Sequence, residues 1–303
     1  GKDSAVSYEL LKQANKEVTC WSLNPTESVL AHFRMNQDYK PIIVTRSIDK
    51  ALLDLNKKGY LNGHTPFSAY LAFASTACSI LFGLGNVAFS NERSSNEGNV
   101  YFKGTEVNHQ YSKSFDFEKR FRDYASRYLA DSVNYFSVLR PLYELQIAKI
   151  FSGFSKYFSI FLSCNNCRKT NAWCHKCAKC LFVFTILYPF VEDIVLTVDI
   201  FSKNLFDDEE LVKTAFDLLG NGDSKPFECV GTKEETLAAF YLCIKKVKKR
   251  KSHLPIVLRL VEENIFSQQT DMETRAKSIM QSWNSLHTVP VEIGNILRNL
   301  GIK

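Results

Sequence analysis

Five of the chain's nine cysteines fall in the short stretch Cys164-Asn165-Asn166-Cys167 to Cys174-His175-Lys176-Cys177-Ala178-Lys179-Cys180. Two C-x-x-C steps share Cys177, and another cysteine pair lies just upstream. Thiolates are soft ligands, and four of them form a closed tetrahedral shell around Zn²⁺. Five cysteines compete for the four places. Our reading takes Cys164, Cys174, Cys177 and Cys180, with Cys167 spare or standing in for Cys164. His175 is flanked by ligands and is expected to point outward, and Lys169, Lys176 and Lys179 partly offset the negative charge. A shell with no open position pins a loop rather than performing chemistry.

A second group opens the chain. Gly1-Lys2-Asp3-Ser4 runs into Ala5-Val6-Ser7-Tyr8-Glu9-Leu10-Leu11, which reads as a helix starting at or just after Asp3. A Gly-led turn into a helix aims backbone N–H groups at an anion. Lys2 and Ser4 add donors for phosphate oxygens, and Asp3 can cap the helix or hold hydrated Mg²⁺. No G-x-x-x-x-G-K-[ST] loop occurs. Three further stretches are rich in polar chemistry: Gly59 to Ser68 with Asn62 and His64, Ser90 to Asn99 with Glu92, Arg93 and Glu97, and Glu106 to Ser114 with His109, Tyr111 and Lys113. The last three are acid/base or anion-binding groups by type.

Positioning these groups requires a scaffold. Val18 to Leu23, Ile42 to Thr45, Val87 to Ser90 and Tyr157 to Leu162 read as strands, with helices between them, including Phe115 to Leu129 and Leu142 to Phe151. Ser47 is the expected cap of a helix over Ile48 to Leu55. Alternating strands and helices imply an α/β fold with a parallel sheet, whose ligands sit beyond the strands' carboxyl ends. After Cys177 the pattern turns helical, over Leu211 to Leu219, Leu237 to Val247 with Thr232 as cap, Ile256 to Ile265 and Met272 to Trp283. The expected division is residues 1–190 as the nucleotide-binding part, including the cysteine segment, and 191–303 as a helical region completing or flanking it.

Bulk properties narrow the function. A chain of 303 residues with 45% hydrophobic content can bury a large core, and 23 Phe make that core aromatic. The net charge of +6 is modest; the run Lys245 to Lys251 reads as a solvated helix end rather than a nucleic-acid patch. Thr65 to Asn91 lacks charged residues but is broken by Ser, Thr and Gly, so it reads as a buried helix, Phe67 to Phe82, and a strand, not a membrane span. No secretory signal is visible and the cysteines look reduced, so a cytoplasmic location is expected.

These motifs carry a resemblance. Gly1-Lys2-Asp3-Ser4 is similar to the end of the Ser/Gly-Gly-Gly-Lys-Asp-Ser loop of the pyrophosphatase-loop (adenine-nucleotide α-hydrolase-like) superfamily, and the cysteine arrangement resembles the zinc site of its deazapurine-forming members. Asn62-Gly63-His64-Thr65-Pro66, Ser90 to Asn99, Glu106 to Ser114, Trp173 to Cys177, Cys180 to Phe184 and Lys225-Pro226-Phe227-Glu228-Cys229-Val230-Gly231 closely resemble the bacterial family that epimerises UDP-N-acetylmuramoyl-L-alanyl-L-glutamate. The likeness runs from Gly1 to roughly Ala239 and is weaker beyond. That family carries a further N-terminal region ahead of the loop, so the chain is expected to be a fragment.

The resemblance implies a parallel-sheet nucleotide α-hydrolase-like core, ATP and Mg²⁺ as cofactors, structural Zn²⁺, and a UDP-muramoyl dipeptide as small-molecule substrate. It places Gly1, Lys2, Asp3 and Ser4 around the pyrophosphate, Asn24 and Thr26 near the nucleotide, and Arg46 on phosphate or carboxylate. Glu92 or Glu97 would help hold Mg²⁺, and Arg93 and Lys113 would bind substrate carboxylate or phosphate. His64, His109, Tyr111 and Cys229 are the groups for proton transfer. Another adenylating enzyme of the superfamily, a non-catalytic zinc-stabilised nucleotide- or RNA-binding protein, and a relative that binds ATP without epimerising remain open at this point.

Overall fold

The computed structural model describes residues 1–36, 40–61, 65–98, 100–167, 170–221, 228 and 230–301. In chain order these form α1 (Lys2–Gln13), β1 (Trp21–Leu23), α2 (Glu27–Met35), β2 (Ile42–Val44), α3 (Lys50–Lys57), α4 (Phe67–Leu81), β3 (Asn86–Phe89), β4 (Val100–Phe102), β5 (Thr105–Val107), α5 (Phe115–Tyr128) and β6 (Asn134–Ser137). Then follow α6 (Glu144–Ser152), α7 (Ala178–Leu187), α8 (Val212–Leu218), α9 (Lys233–Lys249), α10 (Ile256–Asn264), α11 (Met272–Gln281) and α12 (Val291–Gly301).

The result is a mixed α/β chain, mainly helical, with small sheets. β1 pairs in parallel with β2, Trp21 opposite Ile42, and β3 pairs in parallel with β6, Val87 opposite Tyr135. β4 and β5 form an antiparallel hairpin. Its two-residue turn, Lys103-Gly104, has φ of 48° and 77°, the left-handed pair that matches the twist of a tight hairpin.

Most of the core surrounds α7, every residue of which is buried. A helix buried on all sides has no polar stripe, which is why Leu181-Phe182-Val183-Phe184 continues without interruption. α1, α6, α9, α10, α11 and α12 contribute to the same core. A smaller cluster joins Ala72, Val87, Phe121, Ala125, Val133 and Tyr135 between α4, α5, β3 and β6. Among the described residues, no helix is long and apolar enough to cross a membrane.

Three expectations need correction. Tyr157 to Leu162 is not a strand: a 3₁₀ turn spans Ser155–Tyr157 and turns follow. Tyr157 and Phe161 are buried while Ser159 between them is exposed, whereas an alternating strand would put all three on one face, and Phe161 meets Phe151 and Trp173 at 4.8 and 5.4 Å between centroids. Asp49, not Ser47, caps α3, its carboxylate accepting from Ala51 N at 2.7 Å. α4 forms where expected but buries its small face, Ala72, Ser75, Thr76 and Ser79, while Phe67, Tyr70, Phe73, Ile80 and Leu81 are exposed. Ser75 and Thr76 hydroxyls satisfy themselves on Ala72 O, so the small face packs closely without orphaned polar groups.

Candidate functional site

The first turns of four helices meet around one carboxylate. Glu144 is the first residue of α6 and is 4% exposed. Its Oε2 accepts from Nζ of Lys2, the first residue of α1, and its Oε1 lies 3.4 Å from Nζ of Lys179, in the first turn of α7. Lys2 also donates to Asp3. The next residue, Leu145, gives its N–H to Glu235 Oε2 at 3.2 Å, while Glu235 Oε1 accepts from Thr232 N at 2.6 Å and closes the capping box of α9. One buried carboxylate thus ties the starts of α6 and α9 together. Ser94 Oγ accepts from Glu144 N at 3.4 Å.

The electrostatics follow from this packing. Burial opposes ionisation of Glu144, but Lys179 and Lys2 outweigh it and hold the carboxyl down to about 2. Lys2 is raised: burial works against its charge, and Asp3 and Glu144 more than compensate. Glu92 is pushed up by burial and then by Glu144, with Lys113 opposing. Glu235 is pushed up to about 7, chiefly by burial and with a contribution from Glu144. Ionised carboxylates are favoured at helix N-termini, whereas lysines there oppose the helix dipole. Buried Lys2 and Lys179 therefore need an anion beside them.

Arg140 fastens the neighbouring loops. Its guanidinium is fully buried, pairs with Glu118 at 3.1 Å, and donates to Glu92 O at 2.8 Å and Lys113 O at 2.6 Å. Two of the polar stretches singled out in the sequence are held together by this one side chain. Asn108 Nδ2 reinforces the join by donating to Ser95 O at 2.9 Å.

The structure thus brings Lys2, Asp3, Glu92 and Lys113 into one charged neighbourhood, with Gly1 capping α1. Ser4 lies in the first turn of α1, exposed. Arg93 is set to one side, stacked 4.3 Å from the Tyr143 ring centroid and bonded to Ser282 Oγ at 2.6 Å. Glu97 ends the adjacent 3₁₀ turn and is partly buried. His109 is partly buried; Tyr111 is exposed and donates to Asp116.

Asn24 and Arg46 form a separate pair after β1 and β2. Asn24, with φ of 44°, accepts from Arg46 N and donates to Arg46 O, both at 2.9 Å. The guanidinium lies over Phe67 and Tyr70, and its Nε is buried without a hydrogen-bond partner among the described residues. Thr26 starts α2 with no side-chain cap bond. His64 and Cys229 lie outside the described residues, as do Asn62, Lys169 and Lys225 to Phe227.

Cys164, Cys174, Cys177 and Cys180 place their sulfurs within 4.8 Å of one another. The Cys174–Cys180 and Cys177–Cys180 separations are 3.7 and 3.5 Å. Four thiolates about 2.3 Å from a zinc ion lie about 3.8 Å apart, so the set fits a tetrahedral metal. The sulfur–sulfur hydrogen bond with Cys180 holds the Cys177 thiol down to about 4. N–H groups of Cys167 and Cys174 donate to Cys164 Sγ, and Cys177 N donates to Cys174 Sγ, the support that anionic sulfur needs. The Cys167 sulfur is not part of the group. Cys177 is also the N-cap of α7, so the cluster sits at that helix's positive end. Glu228 braces the same turn, accepting from Lys179 N at 2.8 Å and Asn165 Nδ2 at 3.0 Å.

Glu144, Lys179, Glu235, Arg140 and Glu118 were not singled out for the site in the sequence. A charge inside a run of buried apolar residues, as in Val138-Leu139-Arg140 or Cys177-Ala178-Lys179-Cys180-Leu181, is the signal that could have found Arg140 and Lys179.

Comparison with known proteins gives the family. The MurL N-terminal domain matches residues 1–138, and the MurL C-terminal domain matches 160–276. A protein of Micromonospora sp. named UDP-N-acetyl-alpha-D-muramoyl-L-alanyl-L-glutamate epimerase is 37% identical over 266 residues, covering 86% of this chain and 59% of its own length. Proteins of the same name from Salinispora tropica and Xanthomonas oryzae pv. oryzae are 37% and 38% identical over 246 residues, covering 80% and 79% of this chain and 53% and 54% of theirs. The chain spans somewhat more than half the length of these curated relatives. No solved structure matches. With both of its domains matched in order, the chain belongs to the MurL family.

Proposed function

We propose that this chain takes part in the ATP-dependent epimerisation of the terminal L-glutamate of UDP-N-acetylmuramoyl-L-alanyl-L-glutamate to D-glutamate, a step of peptidoglycan precursor synthesis. The observation that carries the reading is the name shared by three relatives at 37–38% identity over 79–86% of this chain. The buried lysine at the start of α1 supports the nucleotide part of it.

Chemical necessity explains the nucleotide. A carboxylate beside Cα is a poor electron sink, because removing the α-proton builds a second negative charge. Attack of the α-carboxylate oxygen on the α-phosphorus of ATP expels pyrophosphate and leaves a neutral acyl group. The Cα proton then leaves to a base, a proton returns on the opposite face, and water attacks the carbonyl carbon to release AMP and the D-glutamyl product.

In this reading Gly1, Lys2, Asp3 and Ser4 surround the pyrophosphate, and Asn24, Thr26 and Arg46 lie toward the nucleotide. Glu92 or Glu97 holds Mg²⁺, which supplies charge neutralisation at the phosphates. Arg93 and Lys113 take substrate carboxylate or phosphate. His64, His109, Tyr111 and Cys229 are the groups to test for proton transfer on the two faces. Zn²⁺ on Cys164, Cys174, Cys177 and Cys180 would fix the segment before α7 and take no part in the chemistry.

The test is incubation of the full-length protein with ATP, Mg²⁺ and the UDP-muramoyl dipeptide in D₂O. D-glutamate carrying deuterium at Cα is the expected product. L-glutamate without deuterium, from folded protein, overturns the proposal.

A further inference from the structure

Lys179 lies between two metal-ligating cysteines in sequence, and its ammonium reaches Glu144. It lies 3.4 Å from Glu144 Oε1 and 5.4 Å from the Phe182 ring centroid, with the residue 8% exposed. The same carboxylate takes Lys2, at 1% exposure, through its other oxygen. Two buried ammoniums share one carboxylate, and each stands in the first turn of a helix, α1 or α7, where the dipole disfavours a cation. Such an arrangement is costly unless something anionic is to be held there.

The surrounding charges point the same way. Lys113 adds a third cation to the field on Glu144 and Glu92. Asp3 and Glu144 face them as carboxylates, while Glu92 and Glu235 are both driven toward the neutral form by burial. A polyanion with several oxygens suits this gathering of three ammoniums, and a compact lysine ammonium is a suitable point charge for phosphate.

We propose that Lys179 is a polyphosphate-binding residue, reaching from the four-cysteine segment to the β and γ phosphates of ATP beside Lys2, with Glu144 holding the two ammoniums in position. This rests on the nucleotide-binding reading given above. It gives the metal segment a direct stake in the nucleotide site: Cys177 and Cys180 fix the turn from which Lys179 extends.

The test is calorimetric titration of ATP and of AMP into the full-length, zinc-loaded protein and its Lys179→Met variant, without acyl substrate. A charge-assisted hydrogen bond contributes about 1.5–3 kcal/mol, so the Kd for ATP should rise roughly 10- to 100-fold. AMP, which lacks the β and γ phosphates, should bind within about twofold of wild type, with zinc content unchanged. Should the methionine variant not fold, Lys179→Gln is read by the same criteria. Equal weakening of ATP and AMP, unchanged ATP binding, or loss of zinc from the variant overturns the assignment of Lys179 while wild-type ATP binding stands. Absence of ATP binding by the wild-type protein overturns the nucleotide reading itself, and this one with it.

Discussion

Glu144→Gln isolates the buried charge at the meeting point of the helices. The substitution keeps the side chain's shape and removes its charge. Lys2 and Lys179 then lose the carboxylate they share, while Lys2 keeps Asp3. Breaking a buried pair by removing one partner costs about 3–5 kcal/mol. The carboxyl's ionisation points the same way: Lys179 and Lys2 hold it well below the usual carboxylate range, so the folded state favours the charged form. The sign is that of a depressed acid. The contribution is complete above pH 4.5 and is lost as pH falls toward about 2. Urea unfolding at pH 7.5 should show the variant destabilised by about 3 kcal/mol. Between pH 4.5 and the acid limit the difference should shrink, because the wild-type carboxyl becomes protonated and resembles the amide. A variant within about 0.5 kcal/mol of wild type at pH 7.5, or a difference that does not narrow in acid, would refute the claim that an ionised Glu144 holds these lysines.

Other perturbations test separate parts. Purified protein should carry one zinc per chain by metal analysis; Cys177→Ser should lose it, whereas Cys167→Ser should retain it, since the Cys167 sulfur stands outside the group. Arg140→Met removes the cation paired with Glu118, which keeps Thr288 Oγ1 as a donor, and takes the guanidinium from Glu92 O and Lys113 O, which keep Ser95 Oγ, so unfolding free energy should fall by about 3 kcal/mol, read by urea denaturation; an unchanged midpoint would contradict the clamp. Burial between Tyr8 and Tyr157 lowers His32 from 6.5 to about 4. Stability should therefore fall as pH drops from 6.5 toward 4, by about 2 kcal/mol after allowing for partial exposure, and His32→Phe should remove that slope in thermal melts.

Local chemistry was the most legible part of the sequence. Thr232 followed by Glu235 marked a capping box, and α9 starts there. The cysteine density marked the metal segment, and the four cysteines preferred in the sequence bring their sulfurs together, although the spacing Cys164-Asn165-Asn166-Cys167 alone left Cys167 as an equal candidate. Parallel pairing was read from short apolar runs such as Ile42-Ile43-Val44, but β6 was missed, although Val133-Asn134-Tyr135-Phe136-Ser137-Val138-Leu139 carries the β-branched and aromatic residues of a strand. The aromatic string from Tyr157 misled in the other direction, because bulky residues read as strand whether they alternate or pack at a helical spacing. The charged centre was the least legible. Glu144 and Lys2 are 142 positions apart, and nothing local to either announces the other. Glu144 went unremarked inside the helix expected over Leu142 to Phe151, and Lys179 was read as a counter-charge for sulfur. Only the folding of α1, α6 and α7 onto one point gives them a shared role.

The central claim is that the glutamate carboxylate is activated by adenylation. The most direct test supplies UDP-N-acetylmuramoyl-L-alanyl-L-glutamate with ¹⁸O in the glutamate carboxylates, together with unlabelled ATP and Mg²⁺, and weighs the AMP released. Because the carboxylate oxygen bonds to the α-phosphorus and water later attacks the carbonyl carbon, the account requires one ¹⁸O in each AMP formed alongside D-glutamate. D-glutamate accompanied by unlabelled AMP, or by no AMP, would contradict it.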